Sequence, residues 1–376
     1  MTEILLTIFF ISVLLFFLGS GIWVALSMIG VSAIGMMLFT SRPVGDAMAT
    51  TIWGTSSSWT LTALPLFVWM GEILFRTKLS ENLFKGLSPW MQKLPGGLIH
   101  VNIVGCALFA AISGSSAATV ATVGKMSIPE LRKRKYPEKI LLGSLAGSGT
   151  LGLLIPPSII LIIYGVAVQE SIAKLFIAGI IPGIMIALIF MTYVIIWSLI
   201  NKKIMPKILE EYSLIEKIKR SKQLLPIIIL ISAVIGSIYT GIATATEAAS
   251  LGVLGALILS YFQKSLTIET FKSSLLGATK TSCMIAFILA GSTFLSLAMG
   301  FTGLPRNLAI WIQNMELSPY VLIFVLMIFY VILGMFLDGI SAVVLTMAII
   351  EPMIRQAGFD MIWFGIFLVI VVEMAQ

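Results

Sequence analysis

Charged side chains are scarce in this sequence. Asp, Glu, Lys and Arg make up 11% of its 376 residues, whereas they make up about 25% of an ordinary soluble domain. Hydrophobic residues reach 59%, the mean hydropathy is +1.06, and many apolar runs approach the roughly 20 residues that a membrane-spanning helix needs. This composition excludes a soluble globular protein and predicts an all-α polytopic membrane protein.

Histidine and cysteine are scarce as well. An intramembrane serine protease would need a base beside Ser115 or Ser116, but the only histidine is His100, which we interpret as structural or interfacial. The sequence also lacks paired membrane aspartates, so we predict no enzyme. Both cysteines, Cys106 and Cys283, lie inside apolar runs, and we interpret them as buried thiols rather than a disulfide or a metal pair.

The net charge of +7 comes from Lys and Arg in short loops between apolar runs. This is the positive-inside pattern, so nucleic acid is not a predicted partner. A basic run at 132–135 and a linker at 201–223 are separated by two apolar crossings, 139–165 and 171–199, which places both on the cytoplasmic side. The linker carries apolar residues at helical spacing and is predicted to be an amphipathic surface helix.

A cluster of small polar residues at 113–119 lies between two apolar limbs, 97–112 and 117–130. Each limb is short for a full crossing, and basic residues flank both outer ends. The pattern predicts a re-entrant helical hairpin that enters from the cytoplasmic side, with its tip buried in protein at membrane depth. The alternative is a pair of ordinary short helices that pack through a Ser/Gly face.

The next apolar run, 139–165, is interrupted at 150–158 by the pair Pro156 and Pro157. The prolines remove two backbone donors and disfavour helical geometry just before them. The freed carbonyls can coordinate a cation, and the two half-helices present opposite dipole ends. A plain proline kink is the alternative.

The second half of the chain contains a carboxylate beside an apolar run. Glu247 precedes most of the run 242–261, and an intramembrane acid is a functional candidate. The alternative is a helix cap, in which Thr244 or Thr246 is the N-cap and Glu247 completes it. We therefore treat Thr246 and Glu247 as either structural or coupling residues.

A second hairpin is predicted from 319–333 and 343–354, with Asp338 at its tip and its entry on the external side. The two hairpins indicate inverted repeats, 1–200 and 224–376, in a single transporter domain. By analogy with the first half, a helix break after Asp338 falls at about position 380. The second repeat is therefore expected to be incomplete at its C-terminus.

Four short motifs, taken together, are characteristic of one protein family. They read L-F-A-A-I-S-G-S-S-A-A-T at 108–119, G-T-L-G-L-L-I-P-P-S at 149–158, Y-T-G-I-A-T-A-T-E-A-A at 239–249 and G-M-F-L-D at 334–338. Together they resemble the large membrane subunit of the tripartite ATP-independent periplasmic (TRAP) transporters, from the first helix to the last residue.

This resemblance implies an elevator-type sodium symporter in the bacterial inner membrane, with no cofactor except the coupling sodium ions. It implies an organic-acid substrate, such as a C4-dicarboxylate or sialic acid, that is delivered by a periplasmic solute-binding protein. A small four-helix membrane subunit is the expected second partner.

The resemblance also implies site residues. The first sodium site would comprise Ser113, Gly114, Ser115, Ser116, Thr119, Thr150, Gly152, Pro156 and Ser158. Gly334 and Asp338 would belong to a second sodium site. In the family, the rest of that site lies in a motif that resembles Ile-Thr-Pro-Pro-Val-Gly, at a position just after that of Gln376. The substrate would contact Ser115, Ser116, Asp338 and Ser341. Hydroxyls and carbonyls suit a monovalent hard cation, and the first site has no carboxylate to hold a divalent one.

Two other functional classes stay open from the residues alone. A standalone sodium-coupled anion symporter would share the architecture and would not need a binding protein. A channel would also use glycine-rich re-entrant tips, although two inverted hairpins with facing broken helices are unusual there. A non-transporting fragment is the remaining alternative.

Overall fold

The computed structural model describes residues 2–76, 79–206, 212–303, 307, 310, 318–335, 337 and 339–375. The first ten helices are α1 (Thr2–Gly19), α2 (Val24–Phe39), α3 (Val44–Ser56), α4 (Ala63–Phe75), α5 (Leu79–Met91), α6 (Ile99–Ser113), α7 (Ser116–Lys133), α8 (Glu138–Gly149), α9 (Leu151–Leu154) and α10 (Ile159–Ala167). The others are α11 (Ile172–Ile200), α12 (Leu214–Ser221), α13 (Leu225–Tyr239), α14 (Ala245–Phe262), α15 (Ile268–Thr302), α16 (Pro319–Gly334), α17 (Gly339–Gln356) and α18 (Met361–Ala375). All regular secondary structure in the described ranges is helical, which confirms the all-α prediction.

Helix length and composition fit a multi-pass membrane protein. Among the described residues, five helical segments are long and apolar enough to cross a membrane, or up to seven if each of two bent helix pairs is counted as one span. Burial differs sharply between two of these spans. The most apolar window of Glu138–Ala167 is 83% buried, whereas that of Ile172–Ile200 is 22% buried. The broken span is therefore enclosed by protein, and α11 turns most of its surface outward.

The chain divides into two compact units. One unit comprises residues 63–161 and 173–280. In it, α4 packs along α14, and Gly252 allows close approach because a Cβ built there would lie 2.5 Å from Met70 Sδ. Ile99, Ile103, Ile140 and Val194 form a buried core that joins α6, α8 and α11. This unit contains the first predicted hairpin and the helix break.

The other unit comprises residues 1–62, 162–172 and 281–376. Met36 and Phe294 join α2 to α15 in its buried core. The Ser292 hydroxyl donates a hydrogen bond of 2.6 Å to the Val344 carbonyl, which joins α15 to α17. This unit contains α16 and α17, the arms of the second predicted hairpin.

Two details extend or correct the sequence-based account. The apolar run 4–40 forms two helices, because the chain turns at Gly21, where φ is +77°. Cys106 is buried as predicted, but Cys283 is exposed, so the prediction of a buried thiol there is wrong. Its neighbour Met284 is 54% exposed, because this face of α15 points outward. An apolar sequence does not distinguish lipid-facing from protein-facing positions.

Candidate functional site

The hydroxyl cluster forms the tip of a tight helical hairpin. Helix α6 ends at Ser113, Gly114 adopts a left-handed conformation with φ +59°, and Ser115 is extended before α7 begins. Glycine suits this turn because it has no Cβ to oppose positive φ. At the base of the hairpin, the Leu98 amide donates a 3.0 Å hydrogen bond to the Tyr136 hydroxyl. The two arms therefore begin and end close together.

The tip hydroxyls form one buried network. Thr119 is fully buried and Ser113 is 6% exposed. The Thr119 hydroxyl donates to the Ser115 carbonyl at 2.7 Å, and it lies 2.8 Å from the Ser113 hydroxyl. The Ser113 hydroxyl also lies 3.3 Å from the Ser115 carbonyl, so each hydroxyl hydrogen has an acceptor within the tip. Both hydrogens are thus committed within the tip, and oxygen lone pairs remain available to a cation. Ser115 and Ser116 are half-buried.

The helix break lies between α9 and α10. In the last turn of α9, the Ile155 amide donates a 3.0 Å hydrogen bond to the Leu151 carbonyl. The peptide bond between Pro156 and Pro157, which follows, is cis. Ser158 then caps α10, because its hydroxyl accepts from the Leu161 amide at 3.3 Å. The break predicted at 150–158 is therefore present.

Around the break, two hydroxyls donate to carbonyls of the preceding turns. The Thr150 hydroxyl donates to the Gly147 carbonyl at 2.7 Å. The Ser158 hydroxyl donates to the Leu153 carbonyl. Their hydrogens are committed, as they are in the tip.

The hairpin tip and the helix break touch backbone to backbone. A Cβ built at Gly152 would lie 2.8 Å from the carbonyl carbon and oxygen of Ser115. A Cβ built at Gly114 would lie 2.8 Å from the Pro157 carbonyl oxygen. Both glycines are needed for this approach, because a real Cβ does not tolerate such distances. The structure thus brings the tip residues beside Gly152 and the Pro157 carbonyl.

The second predicted tip is described only in part. Gly334 is buried at the end of α16, and Ser341 is 2% exposed in the first turn of α17. The two arms are joined by a 2.7 Å hydrogen bond between the hydroxyls of Tyr330 and Thr346. Asp338 lies outside the described residues, so its site role stays a prediction.

Glu247 takes part in a helix cap. Its carboxylate accepts from the Thr244 amide at 2.8 Å and from the Thr244 hydroxyl at 2.8 Å, and the Thr244 side chain accepts from the Glu247 amide. This is the capping box that the residue spacing allowed, with Thr244 rather than Thr246 as the N-cap. Thr246 is 8% exposed. A coupling role for Thr246 and Glu247 stays a prediction.

Sequence reasoning missed one buried acid. Glu373 is 4% exposed within α18, and it is the only acidic residue in the run 361–376. A carboxylate inside an apolar helix is a functional candidate. That single charge in an otherwise apolar segment was the signal that could have found it.

Comparison with known proteins identifies the family. The family model of the tripartite ATP-independent periplasmic transporter, DctM component, matches residues 9–376. The chain belongs to this family. The DctM family consists of transporter components, so the protein is not an enzyme, as predicted.

Several relatives are named for particular solutes. The C4-dicarboxylate TRAP transporter large permease protein DctM of Pseudomonas aeruginosa is 32% identical, over 91% of this chain and 79% of that protein. The sialic acid TRAP transporter large permease protein SiaM of Vibrio cholerae is 31% identical, over 93% of this chain and 81% of that protein. The isethionate TRAP transporter permease protein DctMQ of Oleidesulfovibrio alaskensis is 29% identical, over 94% of this chain and 55% of that protein.

Proposed function

We propose that this DctM-family protein carries out the sodium-coupled import of an organic acid across the bacterial inner membrane. A periplasmic binding protein delivers the solute, and a small four-helix membrane subunit completes the carrier. Family membership supports the transporter class. Relatives named for C4-dicarboxylates and sialic acid support an organic-acid substrate. The match to the DctMQ relative covers 55% of that protein. The remainder leaves room for a second subunit in the same polypeptide.

The observation that carries the proposal is the close contact between the tip and the helix break. Hydroxyl and carbonyl oxygens are the hard ligands that a sodium ion requires. At this contact α6 and α9 end while α7 and α10 begin. Helix C-termini favour a cation, and helix N-termini favour an anion such as a carboxylate. The arrangement supports a sodium site that is adjacent to a binding region for the carboxylate of the solute.

The remaining parts of the proposal follow the family resemblance. The hairpins act as re-entrant elements of an elevator-type carrier built from inverted repeats. Gly334 and Asp338 contribute to a second sodium site. Substrate roles are assigned to Ser115, Ser116, Asp338 and Ser341.

The double variant Ser115→Ala/Ser116→Ala tests the first sodium site. Sodium binding should raise the melting temperature of the purified protein. We expect the sodium concentration that gives half of this rise to be about tenfold higher in the variant. The reason is that a hydrogen-bond-type contact to a charged group contributes about 1.5–3 kcal/mol, and 1.4 kcal/mol is a tenfold change in affinity. The assay is thermal unfolding in detergent across sodium concentrations, with choline keeping the ionic strength constant.

The matched control is Ser237→Ala/Ser250→Ala. These hydroxyls donate to carbonyls of their own helices, α13 and α14, at 2.8 and 3.0 Å. The control should keep the wild-type sodium response. An unchanged response in the tip variant would contradict the site assignment.

A further inference from the structure

Two fully buried polar side chains inside the first hairpin have atoms that are not hydrogen-bonded to protein. Asn102 lies on α6 and Ser127 on α7, and both are 0% exposed. Among the residues that the structure describes, neither the Asn102 amide oxygen (Oδ1) nor the Ser127 hydroxyl has a partner. Buried polar groups in native proteins are bonded to protein or to ordered water in the great majority of cases. These two atoms therefore indicate a ligand in the core of the hairpin.

The orientation of the Asn102 amide follows from its other contacts. Its Nδ2 lies 3.1 Å from the Ser144 hydroxyl oxygen and 3.4 Å from the Leu141 carbonyl oxygen, both on α8. The Leu141 carbonyl can only accept a hydrogen bond, so the amide nitrogen is the atom beside it and Oδ1 points the other way. Because Oδ1 is also only an acceptor, its ligand must donate a hydrogen.

Asn102 and Ser127 lie at one level of the hairpin. A Cβ built at Gly105 would lie 3.6 Å from Val123 Cγ1, which places Gly105 of α6 opposite Val123 of α7. The two helices are antiparallel arms, so moving towards the base means lower numbers on α6 and higher numbers on α7. Asn102 is three residues and Ser127 four residues from this contact, or about 4.5 and 6 Å along the helix axes. Both therefore lie about one turn nearer the base.

Ser127 also points towards the place where α6, α7 and α8 meet. Val123 faces α6, as described, and Gly124 faces α8, because a Cβ built at Gly124 would lie 2.8 Å from Leu145 Cδ2. With 3.6 residues per turn, Ser127 is rotated about 40° from Val123 and about 60° from Gly124, in between the two directions. Asn102 contacts α8 from the α6 side at the same level. The two unbonded atoms thus face one seam between three helices.

We propose that this seam binds a buried water molecule, which accepts the Ser127 hydroxyl hydrogen and donates a hydrogen to Asn102 Oδ1. The hydroxyl needs an acceptor and Oδ1 needs a donor, and a single water supplies both. A sodium ion could contact both oxygens, but it would leave the Ser127 hydrogen without an acceptor. The water joins the two arms of the hairpin at the level where Asn102 already bonds to α8. This site does not depend on the proposed transport function.

Density maps of the full chain that are sharp enough to resolve ordered waters test the site directly. The protein is prepared once in sodium and once with choline in its place. We expect a peak about 2.5–3.0 Å from both Asn102 Oδ1 and Ser127 Oγ in either salt. The peak should be lost in Ser127→Ala and kept in Ser260→Ala. Ser260 is the matched control, since it is 1% exposed and its hydroxyl donates to the Ala256 carbonyl at 2.7 Å.

Denaturant-induced unfolding in detergent gives a second, independent readout. Ser127→Ala and Asn102→Leu each remove one ligand of the same water. The shift of the unfolding midpoint in the double variant should therefore be smaller than the sum of the two single shifts. The pair Ser260→Ala and Asn102→Leu should give additive shifts, because α14 carries Ser260 and no ligand is shared. Ser127→Ala removes a single atom, so its density map decides the matter if Asn102→Leu does not fold.

Four results would overturn the proposal. Density without a peak in reach of both atoms would exclude the bridge, and so would a peak that persists undiminished in Ser127→Ala. A peak that disappears when choline replaces sodium would mean a bound cation instead of water. Additive midpoint shifts for Ser127→Ala and Asn102→Leu would mean that the two side chains share no ligand.

Discussion

Adding one methyl group at Gly152 perturbs the contact between the hairpin tip and the helix break. In Gly152→Ala the new Cβ would lie 2.8 Å from the carbonyl carbon and oxygen of Ser115 and 2.9 Å from the Ser116 amide nitrogen. Ordinary contact begins at 3.4 Å, so the tip and the break must separate by about half an ångström. The atoms that collide belong to the backbone, so no side-chain rotation relieves them.

The expected loss of stability follows from that geometry. Overpacking a buried site by one methyl group costs typically about 1–3 kcal/mol. The upper end applies here, because both colliding segments are backbone held by their own helices. We therefore expect Gly152→Ala to lower the free energy of unfolding by about 3 kcal/mol and also to weaken the sodium response, since the Ser115 carbonyl moves.

Gly143→Ala is the matched control. Gly143 lies in α8, where a Cβ would meet nothing within 4 Å, and alanine in a helix interior is favoured over glycine by about 1 kcal/mol. Denaturant-induced unfolding in detergent, with and without sodium, measures both variants. Gly152→Ala with wild-type stability and an unchanged sodium response would refute the packed contact.

Two further variants separate structural roles from coupling. Thr244→Ala removes the N-cap of α14, so it should lower the free energy of unfolding by about 1 kcal/mol. The sodium response should stay unchanged. An altered sodium response in thermal unfolding would favour the coupling role for Glu247. Tyr164→Phe removes a buried hydroxyl that donates to the Met361 carbonyl at 2.6 Å, so unfolding measurements should give a loss of about 1–2 kcal/mol, and no loss would mean that this bond does not stabilise its unit.

Local chemistry made the helix break and the hairpin turn predictable. The Pro156–Pro157 pair cannot continue a helix, so the break could be placed from sequence. The small residues at 113–119 likewise identified the turn between two apolar arms. The close approach of Gly152 to Ser115, and of Gly114 to Pro157, could not be predicted, because it depends on which backbone surfaces face each other in three dimensions.

Other features depended on long-range packing and were not predictable. The run 4–40 gave no decision between one helix and two, since Gly21 is compatible with both. The exposure of Cys283 depends on which face of α15 meets neighbouring helices. Lys85 and Arg220 line one cavity although 135 positions separate them in the chain, and no local pattern encodes that encounter.

The most direct test of the central claim is solute uptake into proteoliposomes. They would hold this protein with its small membrane subunit, and the cognate binding protein loaded with an organic acid would be added outside. The account predicts uptake only when both an inward sodium gradient and the binding protein are present. Uptake that needs sodium but no binding protein would contradict the tripartite carrier in favour of a standalone symporter, and flux without sodium coupling would contradict the proposed mechanism altogether.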